Sequence, residues 1–174
     1  MTIRKILTEP DPFLRQKSEK VEFVNDEIRT LMDDMLETMY AAPGIGLAAI
    51  QIGVAKRIIV IDLAKDGEKK NPYYFVNPEI ISNSSTDALY EEGCLSVPGQ
   101  FAEISRPNKC KVKFLNYFGK EQIIETNGLL ATCIQHEIDH LEGILFIDYL
   151  SKLKKNMIIK KLSKHKKSLE RIVV

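Results

Sequence analysis

The spacing of apolar residues changes along this chain, and each change marks an element. After an extended start, residues 10–17 have room for one short helix. Behind Asn25, a good cap, apolar residues recur at steps of three and four as far as Tyr40: Ile28, Leu31, Met32, Met35 and Met39. That is the inward stripe of an amphipathic helix, and its methionines read as core filling. Pro43 and Gly44 break it. Ile58, Ile59, Val60 and Ile61 then form an unbroken apolar run within residues 57–63, which predicts a buried strand. Asp66 and Gly67 turn the chain, and Tyr73, Tyr74, Phe75 and Val76 return as a strand that stops before Asn77 and Pro78. Residues 83–86 read as a polar loop, and 91–98 follow. Over residues 102–116 alternation appears, with Cys110, Val112 and Phe114 against Lys109, Lys111 and Lys113, as in a half-buried strand. A turn at 116–119 lets 122–125 pair back.

Helical spacing resumes over residues 127–143. Thr126 or Asn127 can cap this helix and Gly143 can end it in the left-handed conformation. Leu130, Cys133, Ile134, Ile138 and Leu141 give it a buried face. The tail, residues 148–174, reads as one more amphipathic helix. Leu153, Met157, Ile158, Leu162, Leu169 and Ile172 lie near one another on its wheel. The order of elements gives an α+β class: antiparallel strands packed around a central helix, with N-terminal helices before them and a C-terminal helix after. Residues 1–174 form one domain on this reading.

Composition narrows the class without naming a function. A chain of 174 residues can bury a core without disulfides, and three cysteines without framework spacing suit a reducing, cytoplasmic setting. The apolar start before Glu9 is too short for a signal peptide, and no window approaches a membrane span. The net charge of +1 says little, but the positive charge is uneven. From Ser151 to Arg171 the chain carries Lys152, Lys154, Lys155, Lys160, Lys161, Lys164, Lys166, Lys167 and Arg171, with Glu170 the only acid. Such a face can be merely solvated, or it can meet an anionic membrane or RNA phosphates.

The chemistry concentrates in the central helix, in Gln135-His136-Glu137-Ile138-Asp139-His140. Either histidine alone would read as a satisfied core residue. Four apart on a helix, their imidazoles share one side and can bind one transition metal, with Glu137 beside them as general base. The usual third ligands are missing. The longer HExxHxxGxxH motif is followed as far as Gly143, but Phe146 stands where its last histidine would be. Glu142 points off the ligand face. Cys94 is the candidate upstream. A thiolate beside two imidazoles leaves a fourth position open, as in catalytic sites, although a lone Cys94 could equally be a small buried hydrophobe. Its loop favours it: Gly93 frees the backbone, Glu92 can orient a ligand, and Leu95 carries an amide beside the metal. Asp139 and Glu92 are candidates to accept from histidine N–H groups or other donors of the ligand loop, although Asp139 reads equally as a solvated or capping acid. The glycines of residues 44–51 superficially suggest a dinucleotide loop, but a helix precedes them and a strand follows, the reverse of that motif. They suit close backbone approach, with the Gln51 amide as a donor nearby.

Together, Gly44-Ile45-Gly46-Leu47-Ala48-Ala49-Ile50-Gln51, Glu92-Gly93-Cys94-Leu95-Ser96 and the His136 stretch resemble the peptide deformylase family, in order and spacing. The resemblance implies hydrolysis of the N-formyl group from formyl-methionyl termini of new polypeptides by Glu-assisted attack of a metal-bound water. It implies one divalent metal, Fe(II) first, with Zn, Ni or Co also able to occupy the site. Cys94, His136 and His140 would hold it and Glu137 would be the acid/base. Gln51 and the Leu95 amide would stabilise the oxyanion, and Gly46 would bind peptide backbone. Ile45, Leu129 and Cys133 would wall the methionine pocket. Phe101 departs from the family, many of whose members carry an arginine there. The resemblance also favours RNA over membrane for the tail, as a ribosome contact, and the expected state is a monomer. Another HExxH metallohydrolase, such as an aminopeptidase, and a binding protein with a structural metal are the alternatives.

Overall fold

The computed structural model describes residues 2–65 and 67–172, without the side chains of 169–172. Helix α1 spans Asp26–Ala41. Its first turn is closed by the Asn25 side chain, which accepts from the Ile28 N–H at 3.0 Å, and Asp26 and Glu27 face the positive end of the helix dipole. Before it, the expected short helix is one 3-10 turn, Pro12–Arg15, with Asp11 accepting from the Phe13 N–H.

Five strands make the main sheet: β1 (Gly46–Ala48), β2 (Ile58–Ile61), β3 (Tyr73–Asn83), β6 (Lys109–Leu115) and β7 (Glu121–Asn127), antiparallel and in that order. Between β3 and β6 in the chain, β4 (Asp87–Cys94) and β5 (Val97–Pro107) form a separate hairpin. Successive side chains of a strand point to opposite faces. Ile58 and Val60 therefore pack with Met32, Met35 and Met39 of α1, while Ile59 and Ile61 join Phe75, Val112 and Phe114 on the other face. That second face is covered by Ala131, Ile134 and Leu141 of α2 (Gly128–Leu141). Helix α2 thus lies between sheet and hairpin, which is the expected α+β arrangement around a central helix.

Three boundaries differ from the sequence reading. Strand β3 does not stop at Asn77 but runs on to Asn83, with a register shift between Val76 and Glu79. The irregularity absorbs Pro78, and Asn77, at φ 52°, bonds through its side chain to both backbone groups of Val21. The expected strand 102–116 is two strands in different sheets, parted where Pro107 lacks an N–H and Asn108 donates to Thr86. Residues 44–51 are not all loop: they hold β1 and lead into a 3-10 turn, Ala49–Ile52, whose Ala49, Ile50 and Gln51 are buried.

At the termini of α2, Asn127 takes the cap position without a side-chain bond, while the Thr126 hydroxyl lies in β7 beside Cys110. The tail helix starts later than 148: a separate 3-10 turn, Phe146–Tyr149, precedes α3, Lys152–Ile172, which packs Ile158, Ile159 and Leu162 against Val97, Ile104 and Phe146. Leu153 and Met157 do not join that face: they are 73% and 54% exposed. The side chains of Leu169, Arg171 and Ile172, and Asp66 of the expected turn, lie outside the described residues. No described helix is long and apolar enough to cross a membrane.

Gly143 ends α2 at φ 74°, and a Cβ there would run into the Arg15 carbonyl group. Both the left-handed backbone and the clash oppose a side chain. Gly143→Ala should destabilise the protein by about 2 kcal/mol or more and lower Tm by roughly 4–8 °C. Calorimetry checks this, and an unchanged Tm would contradict the close approach.

Candidate active site

His136 and His140 share one side of α2, their ring centroids 5.1 Å apart. Strand β4 delivers Cys94 to them. A register shift lies between Gly93 and Cys94, which pairs with Val97 at the tip of the hairpin. Cys94 Sγ lies 3.3 Å from His140 Nε2, and ligand atoms of Cys94, His136 and His140 all fall within 4.8 Å of one another. Among the described residues this is the only such group of His, Cys, Asp or Glu.

The second nitrogen of His136 is spoken for. Nδ1 meets Glu92 Oε2 at 2.8 Å, which aims Nε2 at the cluster. Glu92 is itself gripped by Arg106, with Nε to Oε1 at 2.6 Å and Nη2 to Oε2 at 3.0 Å. Arg106 Nη1 reaches Asp139 at 2.8 Å, and Asp139 also accepts from the Tyr149 hydroxyl at 2.8 Å. Glu92 therefore does what the sequence suggested, whereas Asp139 touches neither histidine and anchors Arg106 instead. Burial alone would raise the Glu92 carboxyl, but the bonds to His136 and Arg106 hold it below the usual range. Burial likewise opposes charge on His136, yet Cys94 and Glu92 lift it well above an ordinary imidazole. His140 moves the other way, pushed down by burial and by the positive His136 and Arg106.

Above the cluster is a cavity of about 450 Å³. Ile45, Gly46, Leu129 and Cys133 line it together with Gln51, Cys94, Leu95, His136 and Glu137, while His140 sits behind Cys94 and is 1% exposed. Gln51 accepts from the Ala48 N–H through Oε1 at 2.8 Å, which turns Nε2 toward Ser96 Oγ at 3.0 Å and Cys94 Sγ at 3.6 Å. Glu137 faces β1 so closely that a Cβ on Gly46 would strike its Oε1. Its Oε2 is buried with no partner, and burial pushes its carboxyl up to about 7, with His136 opposing. Burial and the nearby Glu137 push the Cys133 thiol up to about 12, so it is an inert wall. Glu142 pairs with Arg57 and Lys17, off the ligand side, and Phe146 lies flat beside His136 at 6.2 Å.

This donor set fits a divalent transition metal. One sulfur and two imidazole nitrogens suit a borderline-soft ion, and three protein ligands leave a position for substrate. The unpartnered Glu137 oxygen stands in the same cavity.

Arg106, Tyr149 and Ser96 are the parts that sequence reasoning missed. Arg106 did leave a signal: it falls in phase with the inward Ala102 and Ile104 of β5, where a charge is unexpected. Arg106→Met should leave Glu92 buried beside His136 without its cation. Urea unfolding should show a loss of about 3 kcal/mol. Metal titration should show affinity reduced about tenfold or more, as for other partners behind a metal-binding histidine.

A family profile described as polypeptide deformylase matches residues 3–156. The peptide deformylase of Pelagibacter ubique is 67% identical over 174 residues, the whole of both chains. That of Phenylobacterium zucineum is 62% identical, covering 97% of this chain and 99% of the relative. Among solved structures, the peptide deformylase of Ehrlichia chaffeensis in complex with actinonin is 47% identical with a TM-score of 0.91, covering 95% of this chain and 98% of that one. One from Legionella pneumophila gives 49% and 0.89, covering 98% and 99%. The chain belongs to the polypeptide deformylase family, hydrolases that act on N-formylmethionyl peptides.

Proposed function

We propose that this enzyme removes the formyl group from formyl-methionine at the amino termini of new polypeptides, using one divalent ion held by Cys94, His136 and His140. Fe(II) is the proposed metal, with Zn, Ni or Co as alternative occupants. The observation that carries the reading is the Glu137 carboxylate, buried and unpartnered in one cavity with the sulfur–imidazole cluster and the Gln51 amide. When bound, the ion supplies Lewis acidity, which acidifies water and polarises a carbonyl.

The chain's own residues do the rest. Glu137 takes a proton from water as its oxygen adds to the formyl carbon. It then returns that proton to the amide nitrogen as the C–N bond breaks, leaving formate and a free amino terminus. A carboxyl raised to about 7 can work in both directions near neutral pH. The carbonyl oxygen gains negative charge on the way, and the oriented Gln51 Nε2 and the Leu95 amide serve as its donors; one such donor is worth about 3 kcal/mol. Strand β1 is an edge of the sheet, so at Gly46 its free backbone groups can pair with a peptide. Ile45, Leu129 and Cys133 offer the methionine side chain an apolar wall.

The reading extends to the tail, in a cytoplasmic enzyme acting as a monomer. Lys160, Lys164 and Lys167 are exposed and lie at steps of four and three on α3, a stripe suited to ribosomal RNA phosphates.

Protein purified without air should carry iron and hydrolyse formyl-Met-Ala-Ser, while leaving Met-Ala-Ser intact. Glu137→Gln should keep the iron but lose at least about a hundredfold of kcat. Near-normal turnover with iron bound would remove Glu137 from its role. For the tail, truncation before Leu162 would cut into the core, so charge reversal is the cleaner test. Lys160→Glu, Lys164→Glu and Lys167→Glu together should abolish a steeply salt-dependent ribosome co-sedimentation and leave tripeptide turnover unchanged. Salt-independent binding that survives the three changes would refute the RNA contact.

A further inference from the structure

Beside the catalytic cavity lies a second depression, of about 420 Å³, between β5 and α3. Its walls are Phe101, Leu150, Lys154, Met157, Ile158 and Lys161, with Ala102 and Glu103 along the strand side. Phe101 lines both hollows and is 66% exposed. The ring also covers Gly93, where a Cβ would come within 2.5 Å of it, so it stands directly over the strand that delivers Cys94.

Residues 154, 157, 158 and 161 are spaced by three and four, so they form one stripe of α3. Ile158 leans from that stripe into the core, while Met157 remains 54% exposed. This explains why the apolar pattern of the tail is wider than the face the core uses: part of it is left for something else. An apolar strip open to water beside a substrate cavity is a binding surface in waiting. Its charge is specific as well. Lys154 and Lys161 flank it against the single carboxylate of Glu103, and of the helix lysines only Lys155 is ion-paired among the described residues. The Lys160 stripe adjoins this one, since Lys160 and Lys164 lie three and seven residues beyond Met157, whereas Lys154 lies on the far edge of the groove stripe.

Resting on the hydrolase reading above, we infer that this groove receives the substrate's own chain after it leaves the cavity past Phe101, and that it favours segments with apolar and acidic residues. The peptide that the catalytic cavity holds by its first residue is the occupant, because the two hollows share a wall and a nascent amino terminus is an extended chain that can bridge them. Lys154 and Lys161 are then specificity-determining residues for the distal part of the substrate.

The test measures binding apart from turnover. Fluorescence anisotropy of metal-loaded protein compares labelled Met-Ala-Ser with two octapeptides that continue it with apolar residues and either glutamates or lysines. The glutamate octapeptide should bind about tenfold more tightly than the tripeptide, and the lysine octapeptide should gain nothing. Lys154→Glu with Lys161→Glu should reverse that preference, and Met157→Asp should erase the gain from length. In all variants formyl-tripeptide turnover should be unchanged. Equal Kd for the tripeptide and both octapeptides would overturn the inference, and so would a length effect that survives all three substitutions. So would variants that lose RNA binding while peptide Kd stays the same. Lack of turnover with normal octapeptide binding would instead count against the hydrolase reading and leave the groove standing.

Discussion

The arrangement hangs on a carboxylate held between a histidine and an arginine. Glu92 accepts from His136 on one side and is clasped through both oxygens by Arg106 on the other, with all three side chains nearly or fully out of water. Buried charges are tolerated only when each finds a partner, and here the partners come from β4, β5 and α2. The same bonds that satisfy Glu92 fix the ring of His136. They also tie the hairpin carrying Cys94 to the helix carrying the histidines, so ligand geometry and hairpin docking are one interaction. Asp139 and Tyr149 extend it to the turn before α3.

A second constraint works across the sheet. Glu137 is accommodated only because β1 presents a glycine to it, and β1 is held in place by antiparallel pairing with β2. Burial that would be unfavourable for an ordinary surface glutamate is what raises its carboxyl toward neutrality. The core therefore does more than support the site. By packing α1 on one face and α2 on the other, the sheet brings an acid with an unmet hydrogen-bonding capacity to the open edge of a strand.

The tail helix divides by phase into a core face and a basic, partly apolar outer face. Ile158, Ile159 and Leu162 close the core, the stripe with Met157 borders a groove beside the cavity, and the stripe with Lys160 faces outward. One helix of basic and apolar residues can present both faces because a full turn takes between three and four residues.

Much of this was legible in the chain itself, and the reason is distance along it. His136, Glu137 and His140 sit within one turn and a half of helix, whose geometry follows from local hydrogen bonding, so their common side could be stated from spacing alone. The stripe of α1, its Asn25 cap and the left-handed Gly143 are equally local. Cys94 was reachable because the helix lacked a third ligand and the chain offers few cysteines. What stayed hidden depends on partners far apart in sequence. Whether Leu153 and Met157 are core or surface is decided by what α3 packs against, not by their own periodicity. The division of residues 102–116 between two sheets follows from Pro107 and from which neighbours each half can pair with. The role of Arg106 follows from Glu92, fourteen residues before it, and Asp139, thirty-three after. A sequence specifies such pairings only through the folded whole, because charges find their counterparts in space after the backbone has closed.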